Sequence, residues 1–362
     1  MKLYTVGPTE MYKNTLKVKG EQVPYFRTEE FSKLNLENKE MMIQCFDAEP
    51  ETEIVFLTAS GSGAMEATVM NCFNEKDKVL VIVGGTFGER FAQICKTHEI
   101  PYEIVKLGED DVLTAEKLEP YAGKGFTGLL VNLHETYTGQ LYDIKLLDEF
   151  CQKNNMFLVV DAISKFLCDP YSMKEHHIDV TLVSSQKGLC LSPGISVIAI
   201  SQRMVEKIQK NTVKSLYFNF QDYLVNMKRG QTPFTPAVGI HYELHDMLEK
   251  ILSEGIDVHI AEVKKRAEYF RKKLQEMPIK VMLPPMPLSN AMTPIRFEKD
   301  IAKELFEFLK NEKDKMVNPV GGELGKRSLR IAHIGDLQLK DYDDLLKDIN
   351  EWVERKHYEK FQ

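Results

Sequence analysis

The chain has 362 residues, 43% of them hydrophobic and 28% charged, with 47 Lys and Arg against 54 Asp and Glu for a formal charge of -7. That length predicts about two domains and a sizeable core, which excludes a small disulfide-stapled module. The negative balance argues against a dedicated nucleic-acid binder, whose affinity needs clustered positive charge, and no apolar run is long enough to span a bilayer, so no membrane partner is expected.

Residues 1–20 read as an N-terminal arm. In MKLYTVGPTEM, Pro8 and Glu10 interrupt any secretory apolar region, so a cytoplasmic location is expected. From there to Gly255, short apolar runs alternate with amphipathic stretches. Strands are predicted at Glu53–Thr58, Lys78–Val83, Tyr102–Lys106, Gly128–Leu133, Met156–Asp161, Val180–Ser184 and Ile195–Ile200. Several are apolar without alternation, as strands covered on both faces are. Crossover helices are predicted between them, at Ala64–Asn71, Glu89–His98 and Leu146–Lys153. The fold class is therefore α/β: a large domain over residues 21–255 built on a mostly parallel seven-stranded sheet between helices. Beyond Val238 the pattern changes to long charged helices, with Gly255 as a stop between two of them. Residues 256–362 then mix strands (Lys280–Met282, Met292–Phe297, Ser328–Ile331) with helices (Ala302–Asn311, Lys340–Lys356), as a small C-terminal α+β domain would.

Three features carry chemistry. Ser60-Gly61-Ser62-Gly63-Ala64 follows the strand IVFLT and precedes a helix, so its backbone N–H groups are able to face an anion; a structural turn is the bland alternative. Asp161 ends the apolar strand FLVVD at the edge where open α/β sheets bind ligands, although a helix-capping aspartate would look the same. Lys187, in SSQKGLCLSPG just past the next strand, is placed where partial desolvation frees an amine for Schiff-base chemistry, against the usual role of lysine as a solvated charge. Their order is what matters: a phosphate socket, an acid for a ring nitrogen and an amine for a carbonyl are what pyridoxal 5'-phosphate requires.

Nine segments in order (VGPTEM, PYFRTEEF, SGSGAMEA, GGTFGERF, LHETYTGQLYDI, VVDAIS, SSQKGLCLSPG, TPFTPAV and SLRIAHIGD) resemble the class V pyridoxal-phosphate aminotransferases of fold type I, in particular the alanine–glyoxylate, serine–pyruvate and 2-aminoethylphosphonate–pyruvate branch. The resemblance implies that Lys187 forms the Schiff base and moves the proton, and that Asp161 partners the pyridinium nitrogen. It places Ser62, Gly63 and Ala64 in the phosphate cup, Gln186 beside the cofactor and Phe87 stacked on the ring. Thr138, or its neighbour Thr136, would supply a hydroxyl near the ring oxygen or phosphate. Gly7 and Arg330 would bind substrate, with Arg330 gripping its carboxylate. The resemblance further implies a homodimer with shared active sites, Thr232 and Thr235 reaching the partner's cofactor. Phe26-Arg27-Thr28 departs from the family's usual His-Arg-Ser.

The expected activity is transfer of an amino group from a small amino donor to a 2-oxo acid such as pyruvate or glyoxylate, with 2-aminoethylphosphonate–pyruvate transamination or a lyase or cysteine desulfurase on the same fold as alternatives. A dinucleotide-dependent oxidoreductase lacks its glycine fingerprint. No metal site is expected: His241 and His245 stand four apart without the rest of a zinc motif, and His176-His177 has no ligand cluster around it. The basic run Lys264-Lys265-Arg266 is interleaved with glutamates as a solvated face is. All six cysteines read as reduced core thiols, with Cys190 the one near enough to Lys187 to matter to a desulfurase.

Overall fold

The computed structural model describes residues 1–277 and 281–356. Seven strands form one sheet in the order 53–57, 196–200, 180–184, 157–161, 128–132, 79–83, 102–106. All neighbours run parallel except Ser196–Ile200, which is antiparallel to both strands beside it. Its reversal follows from the connection: residues 185–195 contain no helix, and a parallel return needs a crossover, usually helical. Val79–Val83, Gly128–Asn132, Val180–Ser184 and Ser196–Ile200 are buried along their whole length. Two apolar clusters cover them, one centred on Phe56, Leu129 and Val160 and the other on Val55, Leu130 and Val159. Consecutive residues therefore point into opposite layers, which explains why these segments show no polar face.

The helices after the strands begin earlier than the sequence suggested. Gly61–Cys72 and Thr86–Thr97 are helical from their first glycine-rich turn. Ser60 caps the former, accepting a hydrogen bond from Gly63 N at 3.4 Å, which offsets the poor helix propensity of Gly-Ser-Gly. In the latter, a Cβ at Gly88 would lie 2.4 Å from Ile82 O, so glycine lets the helix press against the strand it follows.

A second sheet has the order 2–4, 315–319, 328–332, 292–297, 281–282. Lys2–Tyr4, within the segment expected to be an arm, pairs parallel with Lys315–Val317 at its edge, and Tyr4 is buried in the same apolar cluster as Phe270, Leu329 and Trp352. Of the strand expected at Lys280–Met282, Lys280 lies outside the described residues; Val281 and Met282 pair with Phe297 and Arg296. A hairpin of His134–Glu135 with Gln140–Leu141 lies between the sheets: Leu141 N donates to Pro287 O, and a Cβ at Gly139, whose φ is +91°, would meet Pro294 at 2.5 Å. Among the described residues no helix is long and apolar enough to cross a membrane.

Candidate active site

The strands 128–132 and 157–161 end side by side, and their register pairs Asn132 with Asp161. Asp161 is almost wholly buried. Its Oδ1 accepts from Ile163 N at 2.9 Å and its Oδ2 from Asn132 Nδ2 at 3.1 Å. Loss of water pushes the carboxyl up to about 6, against the pull of these donors and of the nearby Lys187 and Arg90 cations. Lys187 opens onto the same cavity but is ringed by protein. Desolvation, with the Arg330 charge added, brings its amine down to about 8, while Asp161 acts in the opposite sense. Gly7 packs directly on this lysine: a Cβ there would lie 2.5 Å from Lys187 Cδ and 2.9 Å from Nζ.

The first turn of the helix Gly61–Cys72 forms the other wall of this cavity of about 200 Å³. Ser60, Gly61 and Ser62 line it with Phe87, Gln186 and Lys187. Gly61 has no room for a side chain, since a Cβ would fall 2.6 Å from Ile163 Cδ1 and 2.9 Å from Ser184 Oγ. Ser62 Oγ accepts from Arg90 Nη1 at 2.5 Å, and the Arg90 guanidinium lies 5.1 Å from the centre of the Phe87 ring.

Ser62, Phe87, Asp161, Gln186 and Lys187 thus stand on one cavity. Gly63 and Ala64 are the next residues of the same helical turn. Of the two threonines left open by the sequence, Thr136 lines the cavity, whereas Thr138 Oγ1 accepts from Gln140 N at 3.4 Å within the hairpin. Arg330 does not line the cavity, although its charge is felt by Lys187. Its Nη1 donates to Thr136 O at 3.2 Å and its Nη2 to Pro319 O at 2.5 Å, leaving the buried Nε without a partner. Thr232 and Thr235 lie outside the cavity. Thr232 is buried with its hydroxyl on Phe234 O, and Thr235 is exposed. The Arg27 of the departing segment donates to Gln231 Oε1 at 2.9 Å and to Thr232 O at 2.8 Å, and so holds that loop.

Sequence reasoning missed three residues here. Arg90, one turn after Phe87, and Asn132, ending GLLVN as Asp161 ends FLVVD, both line the cavity; the parallel strand endings were a usable signal for Asn132. Glu135 is buried, accepts from Tyr137 N at 3.0 Å with Oε1 and has no partner for Oε2. Burial pushes its carboxyl up to about 7. Nothing in HETYTG distinguishes this glutamate from a surface one.

His241 Nδ1 pairs with Asn35 Oδ1 at 2.7 Å, and His245 Nδ1 with Asn38 Oδ1 at 3.0 Å. No metal-holding group of His, Cys, Asp or Glu occurs among the described residues. All six cysteines are buried; burial pushes the Cys190 thiol up to about 11, the opposite of an activated nucleophile.

A buried acid and a half-buried amine on one cavity, with a helix N-terminus beside them, are the groups that a pyridoxal-phosphate site requires. The fit lies in the donor set: Asp161, Lys187 and the helix-start residues Ser60, Gly61 and Ser62 line one cavity. The class-V aminotransferase family profile matches residues 11–322. An uncharacterized aminotransferase of Methanocaldococcus jannaschii is 30% identical, over 91% of this chain and 86% of its own length. The L-aspartate–glyoxylate aminotransferase of Paracoccus denitrificans is 26% identical, over 79% of this chain and 74% of its own. In fold, an aspartate aminotransferase of Thermus thermophilus superposes with a TM-score of 0.90 at 24% identity, covering 98% of this chain and 99% of that one. The chain belongs to the class-V aminotransferases, enzymes that use pyridoxal phosphate.

Proposed function

We propose that the chain moves an amino group from a small amino donor to a 2-oxo acid such as pyruvate or glyoxylate, with Lys187 as the amine that holds the cofactor and shuttles the proton. The observation that carries this reading is the shared cavity of Asp161 and Lys187 beside the Ser60–Ser62 helix start. Pyridoxal phosphate, when bound, supplies the electron sink for a carbon acid. Lys187 Nζ, brought down to about 8, is the base that takes the donor's α-proton and the acid that returns it. Asp161 keeps a proton on the ring nitrogen by presenting a carboxylate to it. The helix-start N–H groups and the Ser62 hydroxyl bind phosphate. Arg330 exchanges a backbone carbonyl for the substrate carboxylate, where its planar fork fits both oxygens. We also propose a homodimer in which Thr232 and Thr235, outside their own chain's cavity, serve the partner's.

Borohydride reduction of the native protein followed by peptide mapping tests the assignment of Lys187; a label on a peptide lacking it overturns the reading. Donors including aspartate, alanine, serine and 2-aminoethylphosphonate, each paired with pyruvate and glyoxylate, give the substrates. Product formed without any 2-oxo acid acceptor would mark a lyase instead. Mixing inactive Lys187→Ala with inactive Thr235→Ala should regenerate activity in hybrid dimers, and activity of a clean monomer would refute the shared site.

A further inference from the structure

We propose that Arg90 is the cation of the phosphate cup: its guanidinium binds the cofactor phosphate and, by donating to Ser62 Oγ, turns the serine's own proton toward the same anion. This rests on the cofactor reading above and adds to it a residue that the sequence comparison did not single out.

A serine hydroxyl has one proton and two lone pairs. Arg90 Nη1 occupies a lone pair of Ser62 Oγ at 2.5 Å, so the hydroxyl proton is left to be donated. Among the described residues no acceptor takes it. Both side chains line the cavity, on the wall formed by Ser60 and Gly61. The serine therefore relays the preference of the guanidinium for negative charge.

The guanidinium has donors to spare. Among the described residues it makes that one hydrogen bond and no ion pair, and its remaining contact is with the face of the Phe87 ring, 5.1 Å away. The other cations near the cavity are differently engaged. Lys187 is the amine expected to hold the cofactor and is drawn on by the Asp161 charge, and Arg330 does not line the cavity and donates to the carbonyls of Thr136 and Pro319. A helix start contributes only about half a positive charge, and the Asp161 carboxyl, which feels the Arg90 charge, lines the same cavity. A full cation at the cup favours a doubly charged phosphate, and among the described residues Arg90 is the arginine that lines the cavity there. Contact with Phe87 also ties that cation to the ring expected to stack on the cofactor, so phosphate and ring would be gripped by a single unit.

The test is equilibrium binding to cofactor-free protein of pyridoxal phosphate and of deoxypyridoxal, which keeps the ring and aldehyde but has no phosphate. Arg90→Gln should weaken pyridoxal phosphate about ten- to a hundredfold, the range for a lost hydrogen bond to a charged group, and leave deoxypyridoxal within about threefold. Arg90→Lys should recover part of the loss as a point charge, and Ser62→Ala should show the same selectivity for the phosphate-bearing ligand. Inorganic phosphate should compete with pyridoxal phosphate in the wild type and poorly in Arg90→Gln. Circular dichroism and thermal unfolding verify that each variant folds; if Arg90→Gln does not, the Lys and Ser62 variants decide. Equal weakening of both ligands would reduce Arg90 to a support for Phe87 and overturn the proposal, as would an unchanged affinity for pyridoxal phosphate. A wild type that binds the two ligands equally and is not fixed by borohydride at Lys187 would instead overturn the cofactor reading itself, and this proposal with it.

Discussion

Replacing Asp161 by Asn should stabilise the cofactor-free protein while weakening its hold on the cofactor. Burial lifts the carboxyl from 3.8 to about 6, worth roughly 3 kcal/mol at 1.36 kcal/mol per tenfold change in acidity. Because the folded pKa is raised, the folded state binds more protons than the unfolded chain between about pH 4 and 6, and stability falls as pH rises through that window. An amide cannot ionise, so the variant should match the wild type near pH 4 and exceed it by at most ~3 kcal/mol above pH 6. The site accommodates the change. The carbonyl of the new amide can still accept from Ile163 N, as Asp161 Oδ1 does, and Asn132, whose Oδ1 is buried without a partner, needs only to turn its own amide to receive the new N–H. With pyridoxal phosphate the sign reverses, since a carboxylate facing a protonated ring nitrogen is worth more than an amide there. Urea unfolding of cofactor-free protein from pH 4 to 8, beside cofactor titrations, measures both. A difference in stability that is flat with pH, or an Asp161→Asn variant less stable than the wild type at pH 7.5, would refute the reasoning.

Gly7→Ala should displace the Lys187 side chain, because the new methyl would lie 2.5 Å from its Cδ; the yield of borohydride-fixed cofactor reads the effect, and an unchanged yield would show that the N-terminal segment simply gives way. Lys187, with its amine near 8, should react with trinitrobenzenesulfonate at pH 8 faster than solvent-accessible lysines of ordinary pKa, provided the reagent enters the cavity; peptide mapping after limited labelling tests this, and slower labelling of Lys187 than of surface lysines in a pH-rate series with no inflection near 8 would contradict it. Arg330→Lys should keep cofactor content and lose about 1.5–3 kcal/mol of productive carboxylate binding, read in kcat/KM for both half-reactions. Unchanged kcat/KM for every carboxylate substrate would leave Arg330 as a tie between Thr136 and Pro319 only.

Residue order alone was enough for the alternation of strands and helices, because short β-branched apolar runs such as VLVIV and FLVVD, separated by amphipathic stretches, fit a sheet covered on both faces. It was also enough to order a glycine-rich helix start, Asp161 and Lys187 along the chain, and this order pointed to pyridoxal phosphate. The reversal of Ser196–Ile200, the seating of Lys2–Tyr4 in the second sheet and the choice of Thr136 over Thr138 at the cavity were decided by tertiary structure. Each depends on which surfaces meet, and strand periodicity carries no information about the partner. Arg90 and Glu135 show the same limit from the side of charge. In sequence they look like any arginine or glutamate of a polar stretch, and only the fold, by bringing Arg90 onto Ser62 and removing Glu135 from water, gives them chemistry, because burial and proximity, not residue type, set what an ionisable group can do.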